Sequence, residues 1–281
     1  MTKKLNRKEV AELGIYDFLG YIGAFDSPYI GGLDGTRRLI DQLKIPHDKE
    51  FRVLEVGCAS GFTSCMIAKE YGCQVTGIDI SEILVSKAQE RADGLGLNNA
   101  HFQVANALKL PFEDGSFDAV YGVAIVALLP DKIQAFRELM RVVKPGGIVG
   151  TLDLFVKKDV DPKVIDVFSS TMSTLLGIDV SILDIDNWKS IISKTDFSEV
   201  DIEEAYRDVL ILTRGRAGAA KATLKMVYHM IINGTVRRQM MKLMRLRKTA
   251  TLTAEEGFAH LGYLVFTGRK VVTSSLIQDT V

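Results

Sequence analysis

The middle of the chain alternates between short apolar runs and longer amphipathic stretches. Between residues 50 and 156, five apolar runs of strand length are separated by segments with apolar residues at helical spacing. Strands that alternate with helices in this way are typical of a parallel sheet with helices on its faces. The pattern therefore predicts an α/β fold, with a third strand at 100–104 and a fifth at 148–155.

The same patterns extend to both flanks. Residues 1–45 are predicted to be helical, with Asp34 and Thr36 as candidate helix caps, and residues 161–179 and 186–194 favour further helices. Residues 198–213 and 262–272 favour a sixth and a seventh strand. The predicted organisation is a helical segment at 1–45, a core at 46–213 that includes the helical segment 161–179, an insert at 214–256, and the last strand with a tail at 257–281.

The insert before the last strand is basic and rich in methionine. No acidic residue occurs from 209 to 254, whereas ten Lys and Arg residues and five of the nine methionines do. Because the whole chain is neutral, the remainder carries a net negative charge. Val236, Met240 and Leu243 recur at helical spacing, and similar residues precede them. We therefore predict two basic amphipathic helices that meet near Asn233 and Gly234.

Three explanations of the insert stay open. Its cations face solvent or the acidic remainder, as in an ordinary structural cap. Alternatively, it is a methionine-lined lid over an apolar acceptor and docks peripherally on an anionic membrane. Nucleic-acid binding ranks last, because Tyr228 is the only aromatic side chain available for stacking.

The composition of the chain favours a soluble globular protein, and its N-terminal residues and apolar runs favour the cytoplasm. Apolar residues make up 47% and charged residues 25%, as in ordinary globular proteins. Residues 1–9 are polar and basic, and the apolar run at 119–129 is too short to span a bilayer. We therefore expect a cytoplasmic protein. Its three cysteines, Cys58, Cys65 and Cys73, are interpreted as small core residues and not as metal ligands.

Small residues follow the first apolar strand. Gly57, Ala59 and Gly61 let the backbone approach a nucleotide-like ligand before a helix begins. Ala59 stands where a middle glycine is usual, and its methyl group is tolerated if its φ is negative. A nicotinamide-binding loop would need a third glycine where Phe62 stands, which argues against a dinucleotide.

An acidic residue ends the second apolar strand. Asp79 lies 22 residues after Gly57, where a carboxylate of a doubly wound sheet accepts hydrogen bonds from both ribose hydroxyls. Asn106 and Ala107 follow the third strand, and an amide there can donate and accept toward an adenine edge. Residues 144–147, Lys-Pro-Gly-Gly, predict a turn before the fifth strand.

In this order and spacing, the motifs resemble the cofactor-binding core of class I methyltransferases that use S-adenosylmethionine. By pattern, the closest group includes ubiquinone and menaquinone C-methyltransferases. The resemblance implies a Rossmann-like sheet of seven strands with an antiparallel last strand, S-adenosylhomocysteine as the product, and no metal. It also implies an N-terminal helical lid. The cofactor-binding residues that it implies are Glu55, Gly57, Cys58, Ala59, Gly61, Asp79, Ile80, Asn106, Ala107 and Val123.

The segment after the fourth strand points to an apolar acceptor. Residues 122–130 are entirely apolar, and the histidines that are frequent in the family near Ala127 and Leu128 are absent. Either the acceptor is already nucleophilic, or a base comes from elsewhere. The weak candidates for a base are His229, His260, Asp153 and Tyr21. We therefore expect a small or lipid-like acceptor of the quinol or isoprenoid type.

Other functions stay open at this stage. One is an RNA or protein methyltransferase that recruits its substrate through the insert. Another is a regulatory protein that binds the cofactor without catalysis. Arsenite methylation is a further alternative, although nothing after Cys73 supplies a thiol. An oligomer is compatible with all of them.

Overall fold

A seven-stranded sheet forms the centre of the molecule. The computed structural model describes residues 5–23, 30–177, 179–206, 234–249, 257 and 259–272. The strands run in the order β3-β2-β1-β4-β5-β7-β6; β1 to β5 are parallel, and β7 is antiparallel to both of its neighbours. The strands are β1 Arg52–Val56, β2 Gln74–Asp79, β3 Ala100–Val104, β4 Phe117–Val123, β5 Val143–Val156, β6 Phe197–Ala205 and β7 Leu261–Lys270. The predicted fold class is confirmed.

Helices cover both faces of the sheet. Along β1, Val53 belongs to one large apolar cluster and Leu54 to another, so the strand is apolar on both sides, as in a buried parallel sheet. The helices are α1 Arg7–Glu12, α2 Ile15–Tyr21, α3 Gly32–Leu43, α4 Phe62–Tyr71, α5 Glu82–Gly94, α6 Lys132–Val142, α7 Pro162–Leu176, α8 Ile185–Ile192 and α9 Gly234–Thr249. The first cluster takes side chains from α3, α4, α5 and α7, and the second takes them from α6 and α8. None of the helices described is long and apolar enough to cross a membrane.

The last helix of the N-terminal segment, α3, begins earlier than its predicted caps indicate. Asp34 and Thr36 lie inside α3, whose N-cap is Gly31, so the cap prediction is wrong. Gly31 and Gly32 both have a φ of 62°, a conformation that costs glycine little, and the Thr36 hydroxyl donates to the Gly32 carbonyl. Two glycines in left-handed conformation therefore start this helix in place of a side-chain cap.

The Lys-Pro-Gly-Gly segment does not form a separate turn. It lies within β5, where the register shifts from Phe117 opposite Val143 to Ala119 opposite Ile148. The extra residues form a bulge in the strand, and Gly146 has a φ of 76° there. The fifth strand therefore starts earlier than the predicted residue 148.

A third, smaller cluster joins the N-terminal helices to the insert. Val10, Phe18 and Ile22 of the N-terminal segment pack with Val236 and Met240 of α9. Helical spacing had predicted the apolar face that Val236 and Met240 form, and this part of the prediction is confirmed. The first predicted helix of the insert, the far end of the predicted sixth strand and His229 lie outside the described residues.

Candidate functional site

The loop between β1 and α4 is a tight backbone turn. The backbone N–H groups of Gly57 and Cys58 both donate to the Ile78 carbonyl at 2.8 Å, which fixes the loop against the end of β2. Gly57 has a φ of 74°, and Gly61, the N-cap of α4, has a φ of 71°. A Cβ atom at Gly57 would lie 2.8 Å from Ile125 Cδ1. Both conformation and close packing therefore require glycine at position 57.

Ala59 does not meet the condition that the sequence argument set for tolerating its methyl group. Its φ is +46° and not negative. In this conformation the Ala59 N–H donates to Asp79 Oδ2 at 3.0 Å. A left-handed alanine costs about 1–2 kcal/mol relative to an ordinary conformation, and the hydrogen bond to a carboxylate offsets part of that cost. The loop thus keeps a glycine-like geometry although a methyl group is present.

Asp79 ends β2 as predicted, and its carboxylate is held by backbone donors. Oδ2 accepts from the Ala59 N–H, and Oδ1 accepts from the Ser81 N–H at 3.0 Å. The Tyr16 hydroxyl of α2 lies 3.4 Å from Oδ2 and donates to it. Burial raises the pKa of Asp79, while these hydrogen bonds act in the opposite direction. The carboxylate is therefore fixed in orientation at the carboxyl edge of the sheet.

The residues after β2 and β3 offer groups suited to an adenine. Ile80 is 68% exposed beside Asp79 and presents an apolar side chain. The Asn106 side chain is exposed, and its Oδ1 already accepts from the Leu108 N–H at 2.8 Å. We therefore expect its amide nitrogen, a donor, to meet a ligand. Ala107 beside it is nearly buried in the second cluster.

Glu55 and Cys58 lie deeper than the other residues of the predicted set. The Glu55 carboxylate is 2% exposed, accepts from the Ser64 hydroxyl in the first turn of α4 and lies beside the fully buried Tyr121. Burial raises the pKa of Glu55 to about 7. These contacts tie β1 to α4, which holds the loop in place. A direct contact between Glu55 and the cofactor stays a prediction.

The three cysteines are buried and free of disulfides. Cys65 and Cys73 belong to the first large cluster, as the interpretation of small core residues requires. Burial raises the pKa of both thiols to about 11, and burial likewise raises the pKa of Cys58. Among the described residues, no group of three or more His, Cys, Asp or Glu is placed to hold a metal ion.

The segment after β4 folds into a short apolar 3₁₀ helix, Val126–Leu128. Val123, Ala124 and Leu128 are partly buried against the first large cluster. Ala124 has a φ of +56°, and its N–H donates to the Leu152 carbonyl at 2.7 Å. The chain therefore turns sharply at the end of β4 and presents an apolar wall next to the glycine loop.

Asp153 supports this wall from β5. Its fully buried carboxylate accepts from the backbone N–H groups of Val126 at 2.7 Å, Ala127 at 3.3 Å and Leu154 at 3.1 Å. Burial raises its pKa to about 6, while these hydrogen bonds and the charge of Lys132 lower it. This is the arrangement of a helix cap, with both oxygens engaged. A role for Asp153 as a general base stays a prediction that these contacts do not favour.

The other described candidate bases, His260 and Tyr21, lie in different parts of the fold. His260 is in the turn that precedes β7, where its backbone N–H donates to the Gly257 carbonyl at 3.1 Å. Tyr21 ends α2, and its carbonyl accepts from Lys87 Nζ at 2.8 Å. Tyr16, which contacts Asp79, is not among the site residues that the sequence predicts. No spacing rule places it at Asp79, the predicted ribose-binding acid, because that contact depends on the docking of α2.

The residues present fit S-adenosylmethionine. A rigidly held carboxylate suits the two ribose hydroxyls, and an exposed apolar side chain next to it suits the adenine ring. The glycine loop lies at the same edge of the sheet, where α/β proteins bind their ligands.

Comparison with known proteins agrees with this assignment. The family profile described as "Methyltransferase domain" matches residues 53–147. The chain is 30% identical over 204 residues to Methyltransferase GfsG of Streptomyces halstedii, with 66% of this chain and 71% of that protein covered. It is also 46% identical over 101 residues to the 2-methyl-6-phytyl-1,4-hydroquinone methyltransferase of a Synechocystis species, with 36% of this chain and 31% of that protein covered.

A solved structure shares the fold. Phosphoethanolamine N-methyltransferase 2 of Haemonchus contortus, in complex with phosphomonomethylethanolamine and S-adenosylhomocysteine, superposes with a TM-score of 0.66 and 21% identity. The match covers 97% of this chain and 62% of that one.

Proposed function

We propose that the methyl acceptor of this chain is a small or lipid-like apolar molecule of the quinol or isoprenoid type. The chain belongs to the class I S-adenosylmethionine-dependent methyltransferases. The observation that carries the proposal is the apolar wall after β4, formed by Val123, Ala124 and Leu128. It lies beside the glycine loop, since Ile125 of the same segment packs on Gly57. An apolar acceptor placed there would lie next to the cofactor.

Helix α7 extends the apolar surroundings. Phe168 is buried in the first large cluster, and Ile165 and Met172 pack against it. An acceptor surrounded by such side chains loses its water, and a dry, aligned approach is the main contribution that an enzyme makes to methyl transfer. S-adenosylmethionine, when bound, supplies a methyl group on a sulfonium, which makes the transfer an in-line displacement.

Among the described residues, the contacts of Asp153 and Tyr16 support a reaction without a dedicated base, while the candidate His229 lies outside those residues. Asp153 uses both oxygens to hold the 3₁₀ helix, and burial beside the Asp79 carboxylate raises the pKa of Tyr16 well above its ordinary value. Neither group is suited to take a proton at neutral pH. A quinol is a suitable acceptor here, because its electron-rich ring carbon or phenol oxygen attacks the methyl group, the bond from that methyl to sulfur breaks to release S-adenosylhomocysteine, and the proton lost from the methylated acceptor passes to solvent. The hydroquinone methyltransferase among the relatives supports this acceptor class.

An acceptor screen tests the proposal. Purified protein is incubated with methyl-labelled S-adenosylmethionine and prenylated hydroquinones, isoprenoid diphosphates, small hydrophilic amines, RNA or a protein mixture. We expect label in the prenylated acceptors only. Label confined to amines, RNA or protein would overturn the proposal and favour the corresponding acceptor.

A variant at the apolar wall sharpens the test. Leu128→Ser places a hydroxyl in the wall and should raise KM for the apolar acceptor about tenfold, since roughly 1–2 kcal/mol of apolar contact is lost. Affinity for S-adenosylhomocysteine should not change, because the glycine loop and Asp79 are untouched. An unchanged KM would remove the wall from the acceptor site.

Peripheral contact with an anionic membrane is the second part of the proposal. On α9, Val236 and Met240 are buried against the N-terminal helices, while Arg237 and Arg238 are exposed. Exposed cations beside an anchored apolar face suit an anionic lipid surface. Co-sedimentation with phosphatidylglycerol vesicles should be lost on Arg237→Glu with Arg238→Glu. It should persist on reversal of two exposed lysines elsewhere, Lys69→Glu with Lys194→Glu. Equal binding by both variants, or none by the wild type, would remove the membrane contact.

A further inference from the structure

Helix α2 lies directly over the end of β2. Besides the Tyr16 contact with Asp79, the Ser81 hydroxyl donates to Asp17 Oδ1 at 2.5 Å. Lys87 Nζ donates to the carbonyl at the end of α2, and Gly20 packs so closely on Leu84 that a Cβ atom there would lie 2.8 Å from Leu84 Cδ2. The helix is therefore attached to the end of β2, to the β2–α5 turn and to α5 by one hydrogen bond each, and the first of these is to the predicted ribose-binding acid.

The hydrogen bonds of Asp79 limit what else can bind to it. A carboxylate offers about four acceptor positions, two on each oxygen. The N–H groups of Ala59 and Ser81 take one on each oxygen, and the Tyr16 hydroxyl takes a third. A ribose brings two hydroxyl donors, but one position is left. Tyr16 in this place and a ribose bound through both hydroxyls therefore compete for one lone pair.

Exposure along the same edge agrees with this count. Ile80 is 68% exposed and Asn106 is exposed, so the adenine end of the site is open to solvent. Asp79, the next residue before Ile80, is only 3% exposed, and Tyr16 of α2 is one of the groups in contact with its carboxylate. A cofactor can thus reach the adenine end while the ribose end is closed.

The opposite side of α2 is anchored as well. Phe18 and Ile22 are buried with Val236 and Met240 of α9.

Glycines flank helix α2. Gly14 is its N-cap, and a Cβ atom built there would have no neighbouring atom within 4 Å. Gly23, after the other end of the helix, has a φ of 81°. Glycine backbone can adopt many conformations at both ends of α2, and a displacement of the helix would also have to break its packing against α9 or move α9 with it.

We propose that Tyr16 occupies Asp79 in place of a ribose hydroxyl, and that α2 must move away from the β2–α5 turn before the cofactor can bind fully. The proposal rests on the assignment of Asp79 to the ribose. Asp17, through Ser81, holds α2 in the closed position. Both residues act on cofactor entry by stabilising the closed arrangement, and neither is required for the methyl transfer itself.

Rapid-mixing measurements of S-adenosylhomocysteine binding test the proposal. Tyr16→Phe removes the hydroxyl and keeps the ring. We expect its association rate constant and its affinity to rise about three- to tenfold, the range for loss of one weak hydrogen bond to a charged group. Asp17→Asn should raise the association rate as well. Tyr71→Phe, the same change at a tyrosine on the far end of α4, is the matched control and should bind like the wild type.

Each outcome has a definite meaning. An unchanged rate for Tyr16→Phe would overturn the proposal, and a weaker affinity would overturn it and make Tyr16 a direct cofactor ligand. Binding by Tyr16→Phe with none by the wild type would support it. Asp79→Asn tests the ribose assignment separately from the role of Tyr16. If this variant binds S-adenosylhomocysteine as tightly as the wild type does, the assignment of Asp79 to the ribose is wrong, while the membership of the methyltransferase family is unaffected. Thermal unfolding of each variant identifies any that is misfolded.

Discussion

Replacement of Ala59 by glycine should stabilise the protein. Ala59 has a φ of +46°, and a non-glycine residue in this region loses about 1–2 kcal/mol. Glycine avoids that loss but gives up about 0.5–1 kcal/mol of backbone entropy on folding. The difference leaves a gain of about 0.5–1 kcal/mol. Ala59→Val should have the opposite effect, a loss of about 1 kcal/mol or more, since a β-branched side chain tolerates a positive φ poorly.

Urea unfolding, followed by circular dichroism, measures these differences. Ala105→Gly is the matched control, because Ala105 lies in the nearby loop after β3 and has no positive φ. We expect a loss of about 0.5–1 kcal/mol there. If Ala59→Gly destabilises the protein as much as Ala105→Gly does, the left-handed assignment is wrong, and so is the account of how Ala59 reaches Asp79.

Three further changes follow from buried contacts. Burial raises the pKa of Glu55 to about 7. The stabilisation that this group contributes is therefore present at pH 4, and the unfolding free energy falls by about 3 kcal/mol as the pH rises toward 8. Glu55→Gln should flatten this decline when urea unfolding is measured across the pH range. Asp153→Asn should lower the unfolding free energy by about 1–3 kcal/mol and slow methyl transfer, while calorimetry finds S-adenosylhomocysteine affinity unchanged. Gly57→Ala should cost about 1–3 kcal/mol, and Ile125→Ala in the same chain should recover part of it.

These three predictions have clear contrary results. A pH profile of Glu55→Gln that parallels the wild type would mean that another group causes the decline. Wild-type stability in Asp153→Asn would show that the cap is dispensable. Strict additivity of Gly57→Ala and Ile125→Ala would mean that the two side chains do not collide.

The sheet could be predicted from the sequence because parallel strands leave a strong local signal. The third strand was predicted at 100–104 and lies at Ala100–Val104, and Asp79 ends β2 as expected. Each is a run of strand length that contains several apolar residues and is bounded by turn residues, and no distant contact is needed to recognise it. The strands and helices on either side of the glycine loop could be predicted from the sequence for the same reason.

The remainder depends on contacts that local patterns do not contain. The φ of Ala59 follows from the position of Asp79, 20 residues away, and the bulge at 144–147 follows from pairing with β4. Tyr16 reaches Asp79 only because α2 docks on α5 on one side and on α9 on the other. Such docking is decided by the packing of whole helices, which single-residue spacing does not encode.

The contact between Ile125 and the glycine loop constrains how this enzyme can be diversified. Ile125 fills the space that side chains at Gly57 and Gly122 would occupy, so the proposed acceptor wall and the predicted cofactor loop share one packing contact. A larger or smaller residue at 125 would alter substrate preference and donor affinity together. Directed evolution toward new acceptors should therefore leave Ile125 fixed and randomise Leu128, Ile165 and Met172, where changes in selectivity can accumulate without loss of the donor.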